Sequence, residues 1–596
     1  EKYDRGSPPP IPKPPGCTAS ASSVCQNAPN FRRRMWGPAI ISSAGWALSD
    51  IADAVVVGQR MGAVGLAAIA LILPVYMINC MFAHGLGLGG SVRYSRLLGE
   101  GKPGEAVDSF NQVVTGALAF SILTGILGNV FMTPLLAVLG TVPDDGPLFE
   151  ATRSYLVVLV SATPLFYMSN ILNYYLRNDD NEKIAGLGSV AGNLTDIGFN
   201  ILFVLILGYG TAGAALSTMI GQAVAILCYL PGILGGRHIL KFRPVRPAPG
   251  AAARAFKDGC SSSVQYLYQL IFLLLCNNIL IRAGNEASVA VFDMLQNASY
   301  LILYLYEGTT RAMQPMVSTY CGEHRGEGMR NVRRYAFRYG CSAGGLAALL
   351  IFLFPQFICT LFGLREAAAA AMGAGALRLY CAGTVFAGIS ILLAGYFQSC
   401  NQERESLIIS SLRGAIVLIP GVLFFSFLRM DLFWWMFPAV EVLSLGLWII
   451  RFIAGRGRTE EFDGSRVYTC TVNQGNQDMT LVTGEAGAFC EKWEASPRQT
   501  YYVTMTIEEL CVVILRDGGG DDVCIEITLV AGQQGEFVLH IRDTARYFDP
   551  FALETGRVSQ EGGFDMDAMG VRVIKSKAKE FFYRRYGGFN SLVVKI

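Results

Sequence analysis

The stretch Thr211-Ala-Gly-Ala-Ala-Leu-Ser-Thr-Met-Ile-Gly-Gln-Ala-Val-Ala-Ile-Leu-Cys-Tyr-Leu-Pro-Gly-Ile-Leu234 contains no Asp, Glu, Lys or Arg. Coiled as a helix, it is long enough to cross ~30 Å of hydrocarbon. Soluble cores rarely hold so long a helix without charge, and this one has many companions. Comparable stretches lie at about 38–58, 64–90, 110–139, 152–175, 186–208, 260–282, 287–312, 336–362, 371–397, 406–428 and 432–453. With 211–234 they predict about twelve membrane spans. Lipid offers the backbone no hydrogen-bond partner, so each span must satisfy its own as a helix.

Composition agrees. Of the 596 residues 52% are hydrophobic and 16% charged, where a soluble domain carries about 25% charged. The mean hydropathy is +0.39. A disordered chain is excluded, and a net charge of +2 provides no field to steer a polyanion, so no nucleic-acid partner is expected. The 15 cysteines include no CxxC pair and are joined by only 4 histidines, which predicts reduced thiols and no metal site.

Lysine and arginine set the orientation. The even-numbered loops hold clusters such as Arg93, Arg96 and Lys102, Arg237 to Lys257, and Arg325 to Arg338, while the odd-numbered loops hold few. The positive-inside rule then puts both termini in the cytoplasm of a multi-pass protein of the cell (inner) membrane. Residues 1–30 are a Pro- and Ser-rich disordered tail, 31–235 a first six-helix lobe, 236–257 a basic cytoplasmic linker and 258–456 a second six-helix lobe. The halves share a weak pattern: Ser91-Val-Arg93-Tyr-Ser95 and Gly99-Glu100 after span two answer Gln314-Pro315, Ser318 and Gly322-Glu323 after span eight. Such repeats build many secondary transporters. From about 466 to 596 apolar and polar residues alternate, as in Glu526-Ile527-Thr528-Leu529-Val530, which predicts strands. A helix is expected over 504–516, with Ile507, Leu510, Cys511 and Ile514 on one face. The fold class is thus an all-α polytopic membrane protein with a C-terminal soluble α+β domain.

Several separated motifs carry a family resemblance. Pro38 with Asp53-Ala-Val-Val-Val-Gly58, Gly85-Leu-Gly87-Leu-Gly89-Gly90-Ser91 with Ser95 and Gly99, Gly210-Thr-Ala-Gly213-Ala-Ala215, Gln314-Pro315, and Pro438-Ala-Val-Glu441 resemble the MATE (multidrug and toxin extrusion) transporters. The resemblance covers about 420 residues. It implies two lobes in a V, alternating access, and export of amphipathic organic cations against H⁺ or Na⁺, with no other cofactor. It identifies Asp53 as the functional acid of span one. In span five, Asp196 and Asn200 stand in the reverse of the Asn-then-Asp order of the proton-coupled DinF-type branch. Ionisable residues inside a bilayer are costly and mark sites by default. Burial would raise the pKa of these carboxylates, so that protonation from outside releases the cation and deprotonation inside rebinds it. Asp293 and Glu307 in span eight are candidates for a second cation site or for ion pairs with Arg378 or Arg413, and Glu441 matches a family motif. No acid stands at 263–269, where the sodium-coupled branch keeps one, so the resemblance implies proton coupling in preference to sodium coupling. Tyr174, Tyr266, Tyr268, Asn277, Gln296 and Tyr300 are candidate cavity residues, since aromatic faces attract organic cations.

The C-terminal segment resembles the GHKL ATP-binding fold in its anti-sigma-factor kinase form. The resemblance rests on Thr506-Ile507-Glu508-Glu509-Leu510-Cys511, Ile541-Arg542-Asp543-Thr544-Ala545, and Ala568-Met569-Gly570-Val571. It gives Glu509 the water-activating role, Asp543 the adenine-reading role and Gly570 a lid position. Val513 stands where the family holds Mg²⁺ with Asn, and valine offers no oxygen to a hard cation. The expectation is a degenerate regulatory domain, with ATP binding doubtful and a cytoplasmic regulatory protein as partner. Two alternatives stay open. One is a flippase for a lipid-linked or polyanionic substrate, for which Arg311, Arg378 and Arg413 are the hints; the other is a membrane sensor signalling through the domain.

Overall fold

A computed structural model describes residues 29–235, 239–243, 245, 249–283, 286–361, 367–428, 430–455, 464–473, 479–517, 523–532, 535–546, 549–551, 566–586 and 589–596. Residues 1–28 of the expected tail 1–30 lie outside them, its last two residues belong instead to the first helix, and of residues 29–66 only some side chains are described. The chain forms two compact units. One comprises 33–322 and 329–461; the other contains 323–328 and 462–596.

The larger unit is helical throughout. Its first half holds α1 (Pro29–Gly99), α2 (Pro103–Val130), α3 (Met132–Val138), α4 (Pro147–Ser161), α5 (Thr163–Asn178), α6 (Glu182–Asn200) and α7 (Gly210–Leu234). Its second half holds α8 (Pro249–Ala283), α9 (Glu286–Gly322), α10 (Gly326–Leu353), α11 (Pro355–Leu361), α12 (Ala367–Ser399), α13 (Glu403–Ser411), α14 (Leu418–Leu428) and α15 (Met436–Ile453). Among the described residues ten helices are long and apolar enough to cross a membrane, or eleven if the bent pair α4–α5 is one span. The expected count was twelve, and the first stretch, 38–58, lies within α1 where many side chains are not described.

Helix α1 is not one rod. Straight, its 71 residues would extend about 107 Å. Yet Trp46 lies 5.3 Å from the Arg311 guanidinium, and His84 bonds Tyr174 at 2.9 Å, whose ring is 6.0 Å from the same guanidinium. The helix therefore doubles back between Trp46 and His84. The fold falls near Gly65, where an added Cβ would stand 2.5 Å from the Met61 Cβ, against about 5–6 Å for this spacing in a regular helix.

Three expected spans are interrupted beside a proline, which lacks an amide hydrogen and clashes with the preceding turn. The stretch 110–139 breaks at Phe131 ahead of Pro134, 152–175 breaks at Ala162 ahead of Pro164 with a bend of 52°, and 336–362 breaks before Pro355. Helix α8 begins at Pro249, inside the stretch read as linker. The two halves repeat one irregularity: a π turn follows α6 at Ile201–Ile206 and follows α13 at Leu412–Ile416. The turns after spans two, four, eight and ten each carry a left-handed residue, Gly101, Asp180, His324 and Asn401.

The smaller unit is an antiparallel sheet under helices. Strands β1 (Val467–Asn473), β2 (Cys524–Ala531), β3 (Phe537–Asp543), β4 (Glu580–Tyr586) and β5 (Phe589–Lys595) lie in the order β1-β2-β3-β5-β4. Helices α16 (Met479–Lys492), α17 (Pro497–Asp517) and α18 (Met566–Lys577) accompany them. The expected helix at 504–516 is the C-terminal part of α17; α16 was not anticipated. One sheet face carries Ile525, Ile527, Leu529, Leu539, Ile541 and Val594 into a core with Ile507, Leu510, Cys511 and Ile514, the four residues that the periodicity selects. The opposite face is polar and also buried. Cross-strand neighbours Glu526 and Arg542 each meet a residue of the 323–328 segment: Arg325 Nη1 forms an ion pair with Glu526 at 2.7 Å, and Arg542 Nη2 donates to Glu323 at 2.6 Å. All four are at most 7% exposed.

Candidate functional site

The glycine run of α1 builds a seam between the two halves. A Cβ at Gly89 would lie 1.9 Å from the Ala255 carbonyl of α8, and one at Gly259 would lie 2.1 Å from the Gly85 carbonyl. Backbones approach this closely only where the residues at the contact are small. Gln314 of α9 donates to Ser91 at 3.1 Å and to Asn178 at 3.3 Å, and Arg96 donates to Asn401. These contacts close the lobes at the end that carries the basic loops.

Beyond the seam a cavity of about 490 Å³ opens between the halves. Its first-half wall carries Trp46, Ser49, Tyr76, Phe166, Asp196 and Gln222; its second-half wall carries Tyr268, Tyr300, Glu307, Arg311, Arg413 and Glu441. Glu307, Arg311 and Tyr266 also border a smaller cavity of about 90 Å³ that reaches toward Gln314. His84 lies between the halves, bonded to Tyr174 at 2.9 Å and to Tyr266 at 3.4 Å.

The predicted residues are distributed unevenly around this space. Asp196 lines the cavity, 6% exposed, and accepts a hydrogen bond from Ser49 at 2.9 Å. That bond joins span five to span one one turn before Asp53, whose own side chain lies outside the described residues. Asn200 is fully buried beside the π turn and is not part of the cavity wall. Asp293 is exposed and likewise off the wall. Glu441 is on the wall, where Arg413 Nε donates to both of its oxygens at 2.8 and 2.9 Å. Glu307 faces Arg311 at 3.5 Å. The pairings proposed for Asp293 are not formed among the described residues, and Arg378 is exposed. Of the candidate aromatics and amides, Tyr266, Tyr268, Gln296 and Tyr300 line the large cavity, Tyr174 lines the small one, and Asn277 lines neither. Trp46 and Ser49 were missed. Their signal was spacing, because they stand seven and four residues before Asp53 and so share its helix face.

In the smaller unit the residues expected to handle a nucleotide are engaged internally. Asp543 is buried, and its Oδ1 accepts from the Ala545 amide at 3.0 Å and from Asn590 at 2.7 Å. Burial pushes its carboxyl up to about 6, against these two bonds. Asn590 also donates to the Arg546 carbonyl at 3.0 Å, so it ties the strand end to the turn after it. Glu509 packs on Gly570, where a Cβ would fall 2.2 Å from its Oε2. Burial and the neighbouring Glu508 raise the Glu509 carboxyl. Val513 is buried in the core.

Among the described residues no cluster of His, Cys, Asp or Glu could hold a metal ion. The MatE family model matches residues 38–202 and 260–423, more than half of the chain. The multidrug export protein MepA of Staphylococcus aureus (strain N315) is 25% identical over 364 residues, spanning 59% of this chain and 77% of that one. A solved outward-facing structure of a multidrug resistance MATE family transporter of the MOP superfamily matches 73% of this chain and 97% of its own, at 24% identity and a TM-score of 0.65. The MATE multidrug transporter DinF-BH, solved in complex with R6G, matches 72% of this chain and 96% of its own, at 25% identity and a TM-score of 0.66.

Proposed function

The chain belongs to the MATE family of multi-pass membrane transporters, and on that premise we propose that it exports amphipathic organic compounds by alternating access, against an inward-moving cation. It is a transporter and not an enzyme. One observation carries the reading: the cavity between the lobes bears Asp196 on its first-half wall, with Ser49 of span one bonded to it. A carboxylate held between two helices of one lobe links its ionisation to how those helices pack. A proton or Na⁺ arriving there competes with a substrate cation for the same charge, which is the coupling an antiporter needs. The family resemblance adds Asp53 of span one as a second acid to be tested beside Asp196. With the basic loops in the cytoplasm of the cell (inner) membrane, the closed seam faces inward and the cavity outward.

The wall charges speak against a polyanionic substrate, since three carboxylates, Asp196, Glu307 and Glu441, stand beside two guanidinium groups, Arg311 and Arg413. The reading is tested in proteoliposomes holding the purified chain and a fluorescent organic cation. Efflux should follow an imposed H⁺ or Na⁺ gradient, and absence of efflux under both would overturn it.

The smaller unit is read as a GHKL-like regulatory domain without turnover. Support comes from Asn590 on the Asp543 carboxylate and from Val513 in the core. Its inclusion of residues 323–328, which join α9 to α10, suits a domain that senses or sets the position of that turn. Titration of the full chain with Mg-ATP tests this, and saturable binding with hydrolysis would contradict it.

A further inference from the structure

The second-half wall of the cavity holds two guanidinium groups that its own carboxylates do not fully use. Arg413 spends Nε on Glu441, while its two terminal nitrogens make no hydrogen bond among the described residues. Arg311 meets Glu307 at 3.5 Å, at the outer limit of a hydrogen bond. Its guanidinium otherwise rests on the Trp46 and Tyr174 rings at 5.3 and 6.0 Å. A purely structural ion pair in a membrane interior spends its donors, because each unspent one costs solvation. Donors left facing a cavity are open to an acceptor on a ligand.

Their placement has a second regularity. Arg413 lies in the π turn that follows α13, and the corresponding turn of the first half follows α6, the helix of Asp196. Gly414 lets that turn close around Tyr268, where a Cβ would meet the ring at 2.4 Å, and Tyr268 bonds Ser411 at 2.9 Å. Single π turns inside helices recur at functional sites because they re-aim a side chain. Corresponding helices of the two halves thus present opposite charges to one cavity, a carboxylate from one and a guanidinium from the other.

We propose that Arg413, with Arg311, forms a carboxylate-binding subsite, and that the preferred cargo is an amphipathic zwitterion whose cationic end lies at Asp196. This rests on the export reading above and narrows its substrate class. The arginine fork matches a carboxylate with two parallel hydrogen bonds. The aromatic rings of both walls cover the apolar body of the cargo. A zwitterion joins the two lobes through its two charges, whereas a simple cation leaves the free donors of Arg413 and Arg311 unused.

The test uses a matched pair of fluorescent probes, rhodamine 6G, which is an ester cation, and its free acid, which is a zwitterion with the same ring system. Affinities are read by fluorescence polarisation on the purified full chain. The wild type should bind the acid roughly tenfold or more tightly than the ester, the range of one charge-assisted pair. Arg413→Gln should bring the ratio of affinities to about one, and Arg413→Lys should restore part of it. Should Arg413→Gln fail to fold, Arg311→Gln and the wild-type comparison decide. Wild type binding the ester as tightly as the acid would overturn the subsite and leave the export reading standing. Binding of neither probe would overturn both.

Discussion

At Gly89 a single hydrogen in place of a side chain lets two lobes touch. An added Cβ would stand 1.9 Å from the Ala255 carbonyl, a backbone atom that cannot swing aside. We expect Gly89→Val to keep the lobes apart at this end. Efflux should fall at least tenfold, and spin labels across the seam should show a longer distance than in the wild type. Unchanged distance and rate would remove the seam from the mechanism. Ser49 is a second case. Ser49→Ala deletes the one described hydrogen bond from span one to Asp196, worth about 1.5–3 kcal/mol for a charged acceptor. Gradient-driven efflux should fall severalfold, and an unchanged rate would show that this bond does not hold the carboxylate in its working position. The residue scale is also where the sequence was least complete. Asp196 and Glu441 are legible because charge in a span is conspicuous. Arg413 is equally conspicuous, but its bond to Glu441 joins two spans 28 residues apart and has no local signature. Asp293 shows the converse: a charge can stand in a predicted span and still lie away from the cavity.

Between elements, the buried charges of the small unit set its energetics. Arg542→Met leaves Glu323 buried without its partner, a loss of about 3–5 kcal/mol. Pairing it with Glu323→Leu should recover most of that, since an apolar pair needs no counter-charge. Hydrogen-exchange protection in β2 and β3 of the full chain reads both outcomes. Two further groups titrate in opposition. Asp543 has its folded pKa raised to about 6 from an unfolded value of about 3.9. The native state therefore binds more protons between these values, and the contribution of Asp543 is present below about 4 and lost as pH rises through 6. His540 has its folded pKa lowered to about 4 by burial from about 6.5, so its contribution is present above 6.5 and lost as pH falls through 4. Each spans roughly 3 kcal/mol, and the two nearly cancel. Asp543→Asn should make the unit weaken on acidification from pH 6.5 to 4, and His540→Gln should make it strengthen. Equal profiles for the two variants would refute the assignment. The strands and α17 were readable from period and burial face. The polar face was not, because its partner, 323–328, comes from a turn about two hundred residues earlier.

For the whole molecule, composition made a polytopic helical protein readable in the sequence, and Ser91 and Gln314, which carry the weak pattern shared by the halves, meet in the fold. The breaks at Phe131, Ala162 and Phe354 were readable too, since a proline follows each within three residues. The doubling back of α1 was readable only as a shift between two apolar stretches. What sequence alone does not supply is the state of the cavity, because a seam of glycines can close or part with the same residues. On the proposed export function, Asp196 is the group through which a cation gradient moves the lobes. Its most direct test compares wild type and Asp196→Asn in proteoliposomes under an imposed H⁺ gradient and then an imposed Na⁺ gradient, reading efflux of a fluorescent organic cation. The wild type should be driven by one of the gradients and Asp196→Asn by neither. Gradient-driven efflux that survives unchanged in Asp196→Asn would contradict the account.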